Sequence, residues 1–340
     1  MAGPTRAEKK RRTRASALRE VLAPEWCAWI AENVVRGVEA PDLVRGLVAA
    51  GVTRTLARRA VTEIRSSPAL HAVVAAAGRE RRLALLLRLR DELAEPRPRV
   101  IERRAKPPAD EFYARYWAQN RPVVFTDATR GWKLWSPLDM KRLLGEQRID
   151  IADGREGDPD YDMNLRAHTR RTTVGAFVDR VLTAGATNDF YLVANNHAMR
   201  RRGFERLLER IVVDETYFVP ADVARGGSLW LGPKGTVTPL HHDTTNILFH
   251  QIHGRKQLTL VPPDDPVACA GARGFYASDQ AWKKLRRSAM RVILEPGEAL
   301  FLPAGWWHHV QSLDVSISFS LMCFRRPNAF DWYRPGFPAF

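Results

Sequence analysis

Two histidines and one aspartate in the second half of the chain have the residue types and spacing of a metal site. His241 and Asp243 stand two residues apart in TVTPLHHDTTNILFHQIHGRKQLTLV. On a β-strand both side chains would point to the same face, because the side-chain period of a strand is two. His308, in FLPAGWWHHV, supplies a second imidazole. Two imidazoles and one carboxylate with three open positions are typical of non-haem Fe(II) oxygenases, so we predict these three as catalytic metal ligands.

The segments around these residues predict short strands joined by tight turns. NILFHQI and QLTLV are separated by HGRK, and RVILEPGEALFLPAGWWHHV is interrupted at Pro296-Gly297 and between Pro303 and Gly305. Short apolar runs with Pro/Gly turns are the pattern of a barrel or jelly roll. By the same two-residue period, His242 and His309 should face away from the ligands.

These segments resemble the JmjC/cupin-like branch of the Fe(II)- and 2-oxoglutarate-dependent hydroxylases. The matching motifs are TPLHHD, QIHGRK, EPGEALFLPAGWWHHV and SISFS, within about residues 107–325, with RPVVFTDA as the first segment. The resemblance implies a double-stranded β-helix (jelly-roll, cupin/JmjC) fold. It also implies a dioxygenase with Fe(II) held by His241, Asp243 and His308, and with 2-oxoglutarate as co-substrate.

The resemblance further implies residues that bind 2-oxoglutarate. Lys256 matches the lysine that pairs with the distal carboxylate, and Thr238 and Tyr191 match positions whose hydroxyls contact the same group. A cation there forms a charge-assisted hydrogen bond inside a closed barrel. Thr238 precedes His241 by three residues, which is the wrong face of a regular strand. We therefore expect a bulge near Pro239, where the alternation of faces breaks.

Two positions depart from the family pattern. Asparaginyl hydroxylases have an asparagine six residues after the first histidine ligand, where this chain has Ile247, with Asn246 one residue earlier. In SISFS, Ser320 occupies the place of an asparagine near 2-oxoglutarate. We predict Asn246 and Ser320 as further co-substrate contacts, and the departures leave these finer contacts open without affecting the iron ligands.

Three residues are candidates for binding the substrate. Asn195 and Asn196 end the predicted strand DFYLVANN and could hold a substrate backbone, although ordinary turn chemistry explains them equally well. Trp306 and Trp307 precede His308. We expect one of them in the core and the other, Trp307, to form a wall of the substrate cleft.

The rest of the chain predicts an α+β protein with an N-terminal all-helical domain. Residues 1–16 are small, polar and basic, and are expected to be disordered. Apolar residues at helical spacing predict a helical domain over 17–95. A Pro/Arg-rich linker over 96–108, the cupin-like domain over 109–325 and an aromatic C-terminal tail over 326–340 follow.

Composition limits the class and the compartment. The net charge is +15, and most of this excess lies in residues 1–105, so nucleic acid could bind there, although solvated arginine-rich helix faces are the commoner explanation. The sequence has no apolar run of 18 residues and no signal-peptide pattern, which argues against a membrane span. Three cysteines without a CxxC pair suggest a reduced cytoplasm.

We therefore interpret the chain as an Fe(II)/2-oxoglutarate oxygenase that hydroxylates a side chain of a protein or peptide. Two alternatives stay open. One is a hydroxylase of a tRNA base or a small molecule. The other is a metal-free cupin scaffold that is recruited through its basic helical domain. The sequence leaves the substrate and the oligomeric state open.

Overall fold

The computed structural model describes residues 21–93, 100–193, 198–286 and 289–330. The chain divides into two compact units, Met1–Arg97 and Pro98–Phe340. The predicted basic tail lies outside the described residues, as do residues 331–340 of the predicted C-terminal tail. None of the helices in the described ranges combines the length and the apolar character needed to cross a bilayer.

The first unit is helical. It contains α1 Pro24–Val35, α2 Ala40–Ala49, α3 Arg54–Arg65 and α4 Pro68–Leu93. Proline stands in the first turn of α1 and of α2, where a missing N–H is tolerated. Thr53 caps α3 by accepting a hydrogen bond from the N–H of Leu56. The helices bury a small core of Leu22, Ile30, Leu43, Leu47, Ala57, Ala60 and Val61.

The second unit begins with mixed helices and strands. They are β1 Glu102–Arg104, α5 Ala109–Phe112 with a π-helical turn Tyr113–Trp117, β2 Val123–Phe125, α6 Pro137–Leu144, β3 Arg148–Asp153, α7 Leu165–His168, β4 Thr169–Thr173, α8 Val174–Thr183, β5 Phe190–Tyr191, α9 Glu205–Leu208 and α10 Val223–Gly226. Strand β1 lies inside the predicted linker. It forms because Glu102 to Arg104 pair in parallel with β2.

The remainder of this unit is mostly strand. It consists of β6 Gly227–Gly232, β7 Val237–His241, β8 Ile247–His253, β9 Lys256–Val261, α11 Pro266–Ala270, β10 Ala272–Arg273, β11 Tyr276–Ala277, α12 Asp279–Leu285, β12 Met290–Leu294, β13 Ala299–Leu302, β14 Trp307–Ser312 and β15 Ser316–Leu321. The predicted HGRK turn joins β8 to β9, with Gly254 at a φ of 64°. A Cβ there would lie 2.1 Å from the carbonyl oxygen of Val315, so only glycine fits.

Two six-stranded sheets form the body of the second unit. Their strand orders are β1-β2-β13-β8-β15-β6 and β10-β11-β7-β14-β9-β12, and a third sheet has the order β4-β3-β5. A buried cluster joins the two large sheets, with Phe249 and Leu300 from the first and Leu258, Leu294 and Val310 from the second. This arrangement confirms the predicted α+β fold with a double-stranded β-helix and an N-terminal helical region.

The outer faces of the two sheets are covered by helices. Phe301 and Phe319 of the first sheet lie in one cluster with Phe112 of α5 and Phe177 of α8. Trp307 of the second sheet belongs to a separate cluster with residues of α11 and α12. Helices cover the outer face of each large sheet. The inner faces, which pack against each other, can therefore hold a site that is shielded from water.

Candidate metal centre

The three predicted ligands meet at the end of β7. His241 and His308 are directly opposite each other in the β7–β14 ladder. Their ring centroids are 4.0 Å apart, and His308 Nε2 is 3.5 Å from Asp243 Oδ2. One potential ligand atom from each residue lies within 4.8 Å of the others. Among the residues that the structure describes, His241, Asp243 and His308 form the group of histidine, cysteine and carboxylate side chains that could hold a metal ion.

Backbone carbonyls orient both imidazoles. His241 Nδ1 is 2.8 Å from the carbonyl oxygen of Pro239, and His308 Nδ1 is 2.9 Å from that of Trp306. Each Nδ1–H donates to its carbonyl, which leaves Nε2 as the metal-binding atom. Burial lowers the pKa of His308 to about 3, so this imidazole is neutral and ready to ligate at physiological pH. The donor set therefore fits Fe(II).

The two neighbouring histidines face other parts of the protein. The ring of His242 lies 4.6 Å from that of Trp307, and His309 stacks on Trp282 at 4.3 Å with an interplanar angle of 9°. Both contacts lie on the outer face of the second sheet, as the two-residue period predicts.

A cavity of about 260 Å³ opens beside the ligands and contains four predicted co-substrate residues. Lys256, Tyr191, Thr238 and Ser320 all line it. Lys256 is fully buried, and its Nζ donates a hydrogen bond of 2.8 Å to the hydroxyl of Tyr191. The hydroxyl of Ser320 is buried without a hydrogen-bond partner among the described residues. A buried ammonium and a free hydroxyl fit the distal carboxylate of 2-oxoglutarate.

Thr238 reaches the cavity because β7 contains a bulge. Val310 is opposite Thr238 and His308 is opposite His241, so three residue steps on β7 match two on β14. The extra residue falls in the stretch that contains Pro239, and it shifts the alternation of faces by one. Thr238 and His241 therefore line one cavity although their spacing is odd.

Two predicted site residues do not line the cavity. The side-chain amide of Asn246 forms hydrogen bonds outside the cavity. Its Nδ2 donates to Asn328 Oδ1, and its Oδ1 accepts a hydrogen bond from the N–H of Ala304. The prediction that Asn246 binds the co-substrate is therefore corrected. Its side chain instead connects the start of β8 to the loops that contain Ala304 and Asn328. Trp307 is also not a cleft wall. It precedes His308 by one residue, so it faces the outer core cluster.

Asn195 and Asn196 lie outside the described residues. The cavity is also lined by residues that the sequence does not predict as site residues, among them Asp162, Trp230 and Tyr276. The ring of Tyr276 stacks on His241 at a centroid distance of 5.7 Å. The sequence contains no recognisable signal for them, since they lie on a loop, on β6 and on the two-residue strand β11.

The state of Lys256 predicts a pH dependence of co-substrate binding. Burial lowers the pKa of Lys256 to about 7. A bound carboxylate requires the ammonium form, so 2-oxoglutarate binding above this pKa must take up a proton. We expect affinity to fall by roughly tenfold per pH unit above neutrality. Calorimetry at alkaline pH in two buffers of different ionisation enthalpy should show uptake of about one proton. A pH-independent affinity without proton uptake would contradict this prediction.

Comparisons with known proteins agree with this geometry. Residues 108–324 match the profile of the cupin-like domain family. The chain is 26% identical over 237 residues to "Lysine-specific demethylase JMJ30" of Arabidopsis thaliana, covering 65% of this chain and 54% of that protein. It is 33% identical over 233 residues to "HSPB1-associated protein 1 homolog" of Danio rerio, covering 58% and 51%.

A third relative is "Lysine-specific demethylase 8" of Xenopus tropicalis, 27% identical over 238 residues, covering 63% of this chain and 50% of that protein. The chain thus spans about half the length of the curated relatives it matches. The family match covers most of the chain, and the ligands and the buried lysine lie inside it. The chain therefore belongs to the cupin-like family, in its JmjC-type branch of Fe(II)- and 2-oxoglutarate-dependent oxygenases.

Proposed function

We propose that this protein hydroxylates a side chain of a protein or peptide substrate. The observation that carries the proposal is one cavity that holds both the His241–Asp243–His308 group and the buried Lys256–Tyr191 pair. Iron bound there supplies dioxygen activation, coupled to oxidation of 2-oxoglutarate to succinate and carbon dioxide, with one oxygen atom inserted into a C–H bond. A protein side chain is the proposed substrate because the named relatives are demethylases and a protein associated with another protein.

The chain's own residues do the positioning in this reaction. His241, Asp243 and His308 hold the metal on one side and leave the remaining positions open. Lys256 Nζ and the Ser320 hydroxyl hold the distal carboxylate of the co-substrate. The cavity walls include Ile247, Phe249, Leu258, Leu302, Val310 and Met322, and these apolar side chains exclude water.

The test has two stages. Protein purified without oxygen and loaded with Fe(II) should release succinate slowly from 2-oxoglutarate when air is admitted. Incubation with a cell lysate under ¹⁸O₂ should then place ¹⁸O in specific side chains, detected by peptide mass spectrometry. The His308→Ala protein is the matched control for both stages. Absence of succinate from the iron-loaded wild type would refute the proposal and favour a binding scaffold.

Demethylation is a second candidate, because two relatives carry that activity in their names. Hydroxylation of an N-methyl carbon gives an unstable product that releases formaldehyde, so the same site could perform either reaction. Formaldehyde release from methyl-lysine peptides would identify demethylation. Stable ¹⁸O incorporation would identify hydroxylation.

The helical unit contains a cavity lined by both apolar and basic side chains. A cavity of about 800 Å³ between α2 and α3 has apolar Val44, Val48 and Val61 beside Arg45 and Arg58. We propose that this unit binds the protein that carries the target side chain, through contacts that are partly electrostatic. Nucleic acid is the other partner that such basic residues allow.

Truncation should separate the two units functionally. We expect a chain starting at Pro98 to bind metal and turn over a short target peptide, but to lose activity on the intact substrate protein. Full-length activity on the intact protein should also fall as salt rises through the physiological range, because exposed charge pairs are screened. The test compares the reaction rates of the full-length and the truncated protein, each measured on the short peptide and on the intact substrate protein. Equal rates of both chains on the intact protein would rule out a recruiting role.

A further inference from the structure

The cavity of about 800 Å³ in the helical unit, called here the α2–α3 groove, has a floor of small apolar side chains. Val44 and Val48 lie four residues apart on α2 and are partly buried, and Val61 lines the groove from α3. The other apolar lining residues are alanine and proline, so no large apolar side chain of the protein fills the groove. Such a floor gains free energy when the apolar surface of a ligand covers it.

Every charged residue that lines the α2–α3 groove is an arginine. Arg45 comes from α2, and Arg54 and Arg58 come from α3. Arg45 already pairs with Asp42 of its own helix. Arg54 and Arg58 are exposed, and neither guanidinium forms a hydrogen bond or an ion pair with another described residue. The groove therefore presents two positive charges that have no carboxylate partner among these residues.

The positions of these two arginines do not favour the helix that carries them. Arg54 is the first residue of α3, where the positive end of the helix dipole disfavours a cation, and the first turn contains no acidic residue. Arg58 follows four residues later, and like charges at this spacing destabilise a helix. Local departures of this kind are expected where a side chain serves binding instead of folding.

A ligand that fits the α2–α3 groove must combine carboxylates with an apolar surface. Carboxylates form charge-assisted, often bidentate hydrogen bonds with guanidinium groups. An amphipathic helix with acidic residues beside its apolar stripe provides both features, and such helices commonly bind in apolar grooves. A nucleic-acid backbone offers phosphates to the arginines but no apolar surface to cover the valines.

We infer that the α2–α3 groove binds an acidic amphipathic helix of another protein. The apolar stripe of this helix covers Val44, Val48 and Val61, and its carboxylates pair with Arg54 and Arg58. Residues 1–20 of the chain are strongly basic and would be repelled by the same arginines. The inference rests on the proposed function, because it gives the chemistry of the partner that the helical unit recruits.

Peptide probes test both features of the ligand on the full-length protein. The acidic probe is fluorescein-labelled EALEELVAEALEEL-amide, which has an apolar stripe when it is helical. One control replaces every Glu by Lys, and a second control keeps the composition but distributes Leu and Val around the helix. In fluorescence anisotropy the acidic probe should bind at least about tenfold more tightly than either control. Equal affinities for the acidic probe and either control, or no binding of the acidic probe, would overturn the inference.

Charge-reversal variants then locate the binding site. Arg54→Glu combined with Arg58→Glu should weaken binding of the acidic probe by about tenfold or more. Arg36→Glu combined with Arg88→Glu changes two exposed arginines outside the groove, gives the same net charge, and should keep the affinity within about twofold. Circular dichroism and thermal melts establish that both proteins are folded, and the wild-type comparison decides the matter if the groove variant is not. Equal losses in the two folded variants would refute the assignment to the groove.

Nucleic-acid binding is the alternative outcome. A labelled DNA duplex of mixed sequence is titrated into the same proteins. Binding of the duplex that is lost in the Arg54→Glu and Arg58→Glu protein, together with equal affinities for the acidic probe and its rearranged control, would identify a nucleic-acid site and reject the inference.

The outcome is independent of the test of the proposed function. Succinate release without a preference for the acidic probe would reject the inference alone. A clear preference for the acidic probe without succinate release would reject the oxygenase function alone.

Discussion

His241→Ala and His308→Ala should each abolish Fe(II) binding and 2-oxoglutarate turnover while leaving the fold intact. Each removes one of three ligands, and outer-sphere changes alone already cost about 10- to 100-fold in metal affinity, so a larger loss is expected. The fold should survive because the clusters between and outside the sheets are apolar and do not depend on the metal. Anaerobic titration with Fe(II), succinate release and thermal melts measure the three quantities.

The neighbouring histidines provide matched controls for these variants. His309→Ala and His242→Ala should keep the metal, because their rings pack against Trp282 and Trp307 on the outer face. They should instead lower stability by about 1–3 kcal/mol, through lost packing. Full activity in both His241→Ala and His308→Ala would refute the ligand assignment.

Lys256→Met should weaken 2-oxoglutarate binding and at the same time stabilise the protein. The lost charge-assisted bond is worth roughly 2–3 kcal/mol, or about 30- to 150-fold in affinity. Lys256 is fully buried, and no carboxylate of the described residues forms an ion pair with it. Replacing such a group with an apolar side chain of similar volume should raise the free energy of unfolding by about 1–4 kcal/mol near neutral pH.

The sign of the pH effect follows from the pKa of Lys256, lowered by burial to about 7 from 10.5. Between these values the unfolded chain binds more protons than the folded chain, so wild-type stability rises with pH. The advantage of Lys256→Met should therefore shrink as the pH is raised from neutrality toward 10. Denaturant unfolding at several pH values measures the difference in free energy of unfolding between Lys256→Met and the wild type. Leu294→Met, on the strand paired with β9, serves as a control. Unchanged co-substrate affinity would place the carboxylate elsewhere.

Sequence reasoning was most informative where side-chain periodicity is strict. The ligand pair His241 and Asp243, and the outward direction of His242 and His309, all follow from a period of two. The bulge near Pro239 is predicted because the family position of Thr238 and the two-residue period of a strand disagree. Pro/Gly turns between short apolar runs predict a barrel or jelly roll, and the family resemblance implies the double-stranded β-helix, which the two six-stranded sheets confirm.

The failures concern residues one position away from a motif or far from it in sequence. The motifs beside Asn246 and Trp307 predict that both line the cavity, yet a shift of one residue reverses the face of a strand. Asp162 and Tyr276 reach the cavity from separate connections. Their approach depends on tertiary contacts such as Arg155 to Val237, which local sequence does not encode.

The carbonyl anchors of the two imidazoles have a consequence for metal exchange. Pro239 and Trp306 fix His241 and His308 through backbone oxygens, so the donor geometry is set by the strands themselves. A site with such rigid imidazoles does not need to reorganise around an incoming ion. Intrinsic affinities for divalent ions rise from Fe(II) through Co(II) to Ni(II), which would bind more tightly and stop turnover. Metal availability in the surroundings, more than discrimination by the polypeptide, should therefore decide what fraction of the protein carries Fe(II).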